Sequence, residues 1–468
     1  MDEGTTTITT DGSQILTCDV AVVGAGASGL AAARDLVKAG ADVLVIEARD
    51  RVGGRTLSKR LENGVTIDLG GQWVAPTQER VLALAAKLGL HTFQTFEDGH
   101  HSLLVDNAVQ RLAEGQINEA ADVHDDFWQG QTALEKLAAT IDLEAPWTHP
   151  DAGELDMMTF SEWTDRTLTT VGGRLRMKMI APAVFSVDAC ELSMLHVAFY
   201  FGAAGGFDVL TKTRGGGQDS RFTTGMQELS LGLARELGDR ILLGRPVRRI
   251  VQDTSGVSIE CKDAVIRAQR VIVATSPTIA GRIEHSPPMP ALRDALTQRM
   301  PMGTAIKMML IYDRPFWRDE GLSGFALTDQ DVPQLMFDNS PEDASCGILV
   351  GFTEGSAARR WIDRSEGERR GAAVETVAGC FGQAARDVRD YIELSWMNEE
   401  YSRGCYAGVM PPGVWTTFGR ALREPVGRIH WAGTETATFW PGYVEGALQA
   451  GERAATEVAQ LLGVSKQL

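Results

Sequence analysis

Three glycines, at positions 24, 26 and 29, constrain this chain more than any other feature in it. They follow the continuous apolar run Val20-Ala21-Val22-Val23, which suits a strand buried on both faces. They open a stretch that reads as a helix from Leu30 to Lys38, stopped by Gly40. A second apolar run, Val43-Leu44-Val45-Ile46, ends on Glu47. Strand, glycine turn, helix and strand within about thirty residues make a βαβ unit, and such crossovers impose a parallel sheet. In this turn Gly24 permits the tight bend, Gly26 lets backbone approach a pyrophosphate, and Gly29 lets helix and strand pack closely. Ser28 stands in the same loop, at a helix N-terminus whose unpaired N–H groups and dipole favour an anion. Glu47 is placed to accept from a ribose hydroxyl. The segment is a dinucleotide site.

The residues after Glu47 choose between dinucleotides. Ala48-Arg49-Asp50-Arg51-Val52-Gly53-Gly54-Arg55-Thr56 resembles the second FAD signature of the glutathione-reductase-like flavoproteins. Its physical sense is a backbone loop lying close to the cofactor, with arginine available to the phosphates. A further glycine pair heads Gly70-Gly71-Gln72-Trp73, which places Gly71, Gln72 and Trp73 beside the cofactor as well. FAD is therefore expected rather than NAD.

At 468 residues the chain exceeds one compact core. A net charge of -17 argues against nucleic acid or anionic membrane as partner. Six scattered cysteines form no CxxC pair and no metal-like cluster, so a reducing compartment and no metal are expected. No apolar run approaches the roughly 20 residues that span a bilayer. The Thr-rich, acidic start lacks the basic region of a signal peptide. A flexible leader over 1–17 and a soluble, cytoplasmic protein are the expectations. Strand-like runs recur at 270–274, 306–312 and 429–433, and a last helix runs from Val444 to Leu462. Sheet elements at both ends of the chain imply one domain assembled from separated segments. The expected fold is α/β: a Rossmann-like FAD-binding domain of the glutathione-reductase class over 18–95, 222–297 and 399–462. An α+β substrate domain, over 96–221 and 298–398, is inserted into it.

The C-terminal third carries a more specific resemblance. Ser402-Arg403-Gly404-Cys405-Tyr406 precedes Pro411-Pro412-Gly413, then Trp431-Ala432-Gly433-Thr434-Glu435-Thr436, then Trp440-Pro441-Gly442-Tyr443. Together with Met300-Pro301-Met302-Gly303-Thr304-Ala305-Ile306-Lys307 and Gly216-Gly217-Gln218, this series resembles the flavin-containing monoamine oxidases along nearly the whole chain. The resemblance implies that Lys307 holds a water near flavin N5, and that Tyr406 and Tyr443 flank the amine. It puts Gly433, Thr434, Glu435, Trp396, Val247 and the helix start at Val444 against the cofactor. Gln218 is implied as a cavity residue, with Leu210, Thr211, Met336 and Phe337 as further wall positions. Cys405 aligns with the cysteine that bonds the flavin in covalent members; relatives that hold FAD non-covalently leave both attachments open. Arg403 departs from the glycine of the mammalian pattern, and the sequence ends at Leu468 without their membrane-anchoring helix. His196 and His430 match no catalytic motif and are read as structural.

The activity implied is oxidative deamination of a primary, mainly apolar amine, with oxygen reduced to peroxide. The partners are then a small amine and oxygen, with no nucleic acid and no membrane anchor; a homodimer is left open. A diamine, polyamine or L-amino-acid oxidase keeps the same fold with another substrate; an FAD dehydrogenase using another acceptor is a second alternative, against which Lys307 and the tyrosine pair weigh. A diamine requires an acidic group deep in the cavity, and an amino acid requires an arginine for its carboxylate.

Overall fold

The structure, a computed structural model, describes residues 7–8, 14–113 and 120–464. The Val20–Val23 run is the end of a ten-residue strand, Gln14–Val23. That strand lies inside a nine-stranded sheet, parallel to Val43–Ile46 on one side and to Ala264–Val273 on the other. Residues 14–17, expected in the leader, belong to it and pair with residues 264–267. The apolar Leu16 packs on the core beneath, which gives this stretch a reason to be extended. The rest of the expected leader lies outside the described residues, apart from the short strand Thr7–Ile8.

The strand expected near 429–433 is Ile429–Trp431, parallel to the last residues of Ala264–Val273. Residues more than 400 apart in sequence thus share one sheet. Val20, Ala21, Val22, Val271 and Ile272 are fully buried, as parallel strands covered on both faces must be.

Two helices cover one face side by side, Ala27–Ala39 after the glycine turn and Val444–Leu462 at the other end of the chain. Leu30, Ala33 and Leu36 of the first share a core cluster with Leu448, Ala454 and Val458 of the second. Their approach is set by glycine. A Cβ on Gly451 would lie 2.2 Å from the Ser28 carbonyl oxygen of the first helix, and at the strand–helix turn one on Gly29 would lie 1.9 Å from the Gly24 carbonyl oxygen. No side chain fits at either point.

A second sheet has seven strands, with Ala305–Tyr312 between Asp390–Ser395 and Gly347–Glu354, antiparallel to both. Leu335–Asp338, Leu322–Thr328, His100–Val105 and Ala108–Leu112 continue it. Alternation along Ala305–Tyr312 sends Ile306, Met308 and Leu310 to a core shared with Ala373 and Val377 of the helix Glu366–Phe381. Lys307 lies on the other face, with Ala305, Met309 and Ile311. A helical body between Ala121 and Thr211, with Ala121–Ala138 and Met194–Ala204 at its centre, packs its own apolar core.

The helix contact gives a direct test. Gly451→Ala should lower the denaturant midpoint, as overpacking costs about 1–3 kcal/mol. An unchanged midpoint would mean that the two helices separate freely.

Candidate functional site

A cavity runs from the glycine turn to the second sheet. At its first end lie Gly24, Gly26, Ser28, Gly53 and Gly54. Gly26 and Gly54 approach closely: a Cβ on Gly26 would meet the Gly54 Cα at 3.9 Å, and one on Gly54 would meet the Gly26 Cα at 3.3 Å. That backbone-walled cradle fits a pyrophosphate at the start of the helix. Glu47, at the end of the second strand, is buried and accepts from the backbone N–H of Ala25 at 2.7 Å and of Arg49 at 2.9 Å. Val247 and Arg49 line the same end. Arg49 is tied to Ser402 at 2.9 Å and Glu399 at 3.3 Å, which joins this loop to the C-terminal segment. Gly433 and Thr434 close the floor. The Gly433 N–H donates to the Ser28 hydroxyl at 2.9 Å, and the Thr434 hydroxyl donates to the Tyr443 carbonyl at 2.8 Å.

Arg55 lines the cavity, but its guanidinium is engaged rather than free for a phosphate. Its guanidinium is committed to Glu435, at 2.7 and 3.1 Å, and donates to the Tyr406 carbonyl at 2.8 Å. Glu435, expected against the cofactor, is absent from the cavity wall and lies behind it, where it also accepts from the Gly408 N–H at 3.1 Å. Burial opposes the Glu435 charge, and Arg55 overrides it, holding the carboxyl below its ordinary value. Gly29 also lies behind the wall, under the strand–helix contact.

Lys307 is 4% exposed and reaches the cavity beside Gly71, Gln72 and Trp73. Its Nζ donates to the Gly70 carbonyl at 2.8 Å and to Gln72 Oε1 at 2.5 Å. The Gln72 amide donates in turn to Asn339 Oδ1 at 2.9 Å, and Arg221 donates to the same oxygen at 2.8 Å. Burial pulls the lysine well below its ordinary basicity; Asp68 opposes that, and Arg221 adds to it. Asp68, Arg221 and Asn339 were not expected from the sequence. No motif marks them, because their partners lie on distant segments.

The far walls are aromatic: Trp73, Tyr200, Phe337, Phe352, Tyr406 and Tyr443. Tyr443 is braced by Trp440, with ring centroids 4.6 Å apart, and Tyr406 by Phe352 at 6.4 Å. Gln218, Trp396 and Val444 line the cavity too. The Trp396 indole is held by the Leu69 carbonyl at 2.9 Å. Three expected wall positions are elsewhere. Met336 points into the core on the opposite face of its strand, so its neighbours Leu335 and Phe337 face the cavity instead. Leu210 is buried in the helical body, and Thr211 is exposed, its hydroxyl on the Phe207 carbonyl. Both sit on a helix, Phe207–Thr211, whose packing turns them from the cavity.

Cys405 is on the wall and 7% exposed; burial pushes its thiol up to about 12, so it stays protonated. The residue two places earlier, Arg403, has φ 59, the left-handed region where glycine is the easier occupant. His196 is buried against Trp415, whose indole donates to it at 3.2 Å, and burial lowers it to about 3. His430 is fully buried beside Arg270. Neither lines the cavity.

Residues 27–459 match the family described as flavin containing amine oxidoreductase. A Dictyostelium discoideum protein named as a probable flavin-containing monoamine oxidase A is 38% identical over 96% of this chain and 99% of its own length. An L-amino acid dehydrogenase of Synechocystis is 40% identical over 95% of each chain. A solved putrescine oxidase, bound to putrescine, is 33% identical, covers 95% of this chain and all of its own, and superposes with a TM-score of 0.90.

The Arg55–Glu435 ion pair is testable by denaturation. Glu435→Leu, which strands the Arg55 charge, should destabilise by about 3 kcal/mol, and Arg55→Met in the same chain should restore most of the loss. Additive losses would show that the two residues act separately.

Proposed function

Because the chain belongs to the flavin-containing amine oxidoreductases and is an FAD-dependent amine oxidase, we propose that it deaminates a primary, mainly apolar amine and passes the electrons to oxygen. Relatives on this fold carry names for monoamine, amino-acid and diamine substrates, so the cavity wall of this chain has to decide. One observation carries the reading. The acids that line the cavity, Glu47 and Glu400, and the arginines Arg49 and Arg248 lie with the nucleotide end. Arg282 stands there too, beside Ser276 and Ile279, and Arg55 is held by Glu435. Around Tyr406 and Tyr443 the wall is Tyr200, Leu335, Phe337 and Phe352, with Gln218 as its neutral polar group. A second ammonium finds no carboxylate on this wall, and a substrate carboxylate finds no unengaged guanidinium.

FAD, when bound, accepts the hydride equivalent from the substrate α-carbon and delivers the electrons onward. The glycine turn, Glu47, Val247, Gly433 and Thr434 are the residues we assign to holding it. Tyr406 and Tyr443 offer ring faces to a neutral amine and exclude water around it. Their hydroxyls are poor acids here, since burial pushes both up. Neither serves as a base, and the amine has to lose its extra proton on or before binding. Lys307 has two of its three N–H donors engaged; we assign the third to a water on the oxygen side of the reaction. We divide the chain into an FAD-binding domain (18–95, 222–297, 399–462) and a substrate domain (96–221, 298–398); the placing of the seven-stranded sheet wholly in the second, and of the nine-stranded sheet in the first apart from residues 7–8 and 14–17, supports this reading. Among the described residues no helix is long and apolar enough to cross a membrane, and we place the enzyme in the cytoplasm.

Purified enzyme mixed in air with aliphatic, cyclic, arylalkyl, diamine and amino-acid substrates tests the reading through flavin bleaching and peroxide. Bleaching with peroxide from apolar monoamines is expected. Preference for putrescine or an L-amino acid would overturn the substrate class, and bleaching without peroxide would overturn oxygen as acceptor. Lys307→Met should slow reoxidation of the bleached enzyme in air at least tenfold, about 1.4 kcal/mol of barrier, with FAD still bound. Unchanged oxygen kinetics would remove Lys307 from this role.

A further inference from the structure

Glu354 is a buried acid that no step above uses. It ends the strand Gly347–Glu354, directly opposite Ala305, and it is 1% exposed. Its strand neighbour on the same face, Phe352, lines the cavity, whereas Glu354 stands just behind the wall. There its Oε1 accepts a hydrogen bond from the Tyr406 hydroxyl, and a longer one from the Ser186 hydroxyl at 3.3 Å. Its own backbone N–H is held by Gln334 Oε1 at 2.7 Å. A strand end gripped on both sides is a rigid mount.

We propose that Glu354 is a positioning residue for amine oxidation: its carboxylate takes the Tyr406 phenol as donor, fixes the ring and loads the ring face with electron density toward the amine. The inference rests on the reading of Tyr406 and Tyr443 as the two walls of the amine site. Its chemistry is that of a charge-assisted hydrogen bond, shorter and stronger than a neutral one. A phenol donating to an anion gains ring electron density, and an electron-rich face attracts the positive end of an amine. Phe185, which precedes Ser186, touches Tyr200 on the cavity wall at 4.6 Å, so the Glu354 mount reaches the aromatic wall from two directions.

The groups around Glu354 make this bond sensitive to pH. Tyr406 and Cys405 face it from the segment between Gly404 and Gly408, and Ser186 from the end of the helix Ile180–Phe185. Asp188, next along, is engaged by the Ser356 N–H and Arg359. Among the described residues no cation pairs with Glu354. Burial therefore raises its carboxyl to about 8, against the pull of the Tyr406 and Ser186 hydroxyls. Below that range the carboxyl is neutral and the hydrogen bond loses its charge assistance; above it the bond is at full strength.

The test uses FAD-loaded enzyme and an apolar amine that bleaches it, with Glu354→Gln, Tyr406→Phe and the double variant. Flavin-reduction rate constants, amine dissociation constants from the flavin spectrum, and FAD content are measured from pH 6 to pH 9. Each single variant should reduce the limiting rate about fivefold at pH 9 with FAD content unchanged, the double variant no more than either single one. The ratio of wild-type to variant rates, in which substrate ionisation cancels, should rise from near one at pH 6 to that value above pH 8. Multiplicative losses, a flat ratio or a wild-type Glu354→Gln enzyme would overturn the proposal. If Glu354→Gln fails to hold FAD, the Tyr406→Phe ratio alone decides by the same rise or its absence. Tyr443→Ala separates the two readings. Wild-type turnover in that variant sinks the amine cage itself, whereas slow turnover with a normal Glu354→Gln removes only the role of Glu354.

Discussion

The buried pairing of Arg55 with Glu435 ties together parts of the chain that are 380 residues apart, and the site hangs on it. Arg55 leaves the loop after the second strand, Glu435 follows the strand Ile429–Trp431, and their contact closes over the Tyr406 carbonyl and the Gly408 N–H. Two charges taken out of water lose several kcal/mol of hydration each, so the pair is tolerable only with both partners and their extra hydrogen bonds in place. Its return is geometric. The segment carrying Cys405 and Tyr406 is pinned to the floor that carries Gly433 and Thr434, so both ends of the cavity share one rigid base.

The two sheets divide the work by their construction. The parallel strands of the first sheet, Gln14–Val23, Val43–Ile46, Ala264–Val273 and Ile429–Trp431, bring their C-terminal ends and a helix N-terminus to one side, which suits an extended anion and its ribose. The second, mainly antiparallel sheet offers alternate faces instead. It holds Lys307, Leu335, Phe337 and Phe352 on a cavity-facing surface while Ile306, Met308 and Met336 fill a dry core behind them. A lysine amine in such a place has to be hydrogen-bonded. The Gly70 carbonyl and the Gln72–Asn339–Arg221 chain meet that requirement without a salt bridge to Lys307. That leaves the amine electrostatically softened, with Asp68 near enough to keep part of its charge.

The wall that carries Tyr406 and Tyr443 is mostly apolar. Aromatic rings, Leu335 and Gln218 line it, while Lys307 is hydrogen-bonded to Gly70 and Gln72 and Arg55 is paired with Glu435. In the proposed reading, substrate selection rests on shape and dryness, with Glu354 acting through Tyr406 rather than by contact.

Much of this was legible in the sequence. The βαβ unit, the helix Val444–Leu462, the strand of Lys307 and the cavity positions of Gly53, Gly54, Gln72, Trp396, Tyr406 and Tyr443 are carried by local patterns or by motifs of short span. Hydrophobic period and glycine placement are properties of neighbouring residues, so a single chain displays them. What tertiary structure alone decided is of another kind. The partner of Arg55, the mount of Tyr406 on Glu354 and the network holding Lys307 join residues from separate segments, and no local pattern records such a meeting. Side-chain direction on the wall is equally nonlocal. Leu335 and Met336 are adjacent apolar residues, and only the pairing of their strand with Gly347–Glu354 determines which faces the cavity and which the core. Leu210 and Thr211 are turned away by how a five-residue helix packs on the helical body. Sequence specified the elements and the chemistry they carry; register and packing, which depend on every other segment being in place, chose the residues that meet.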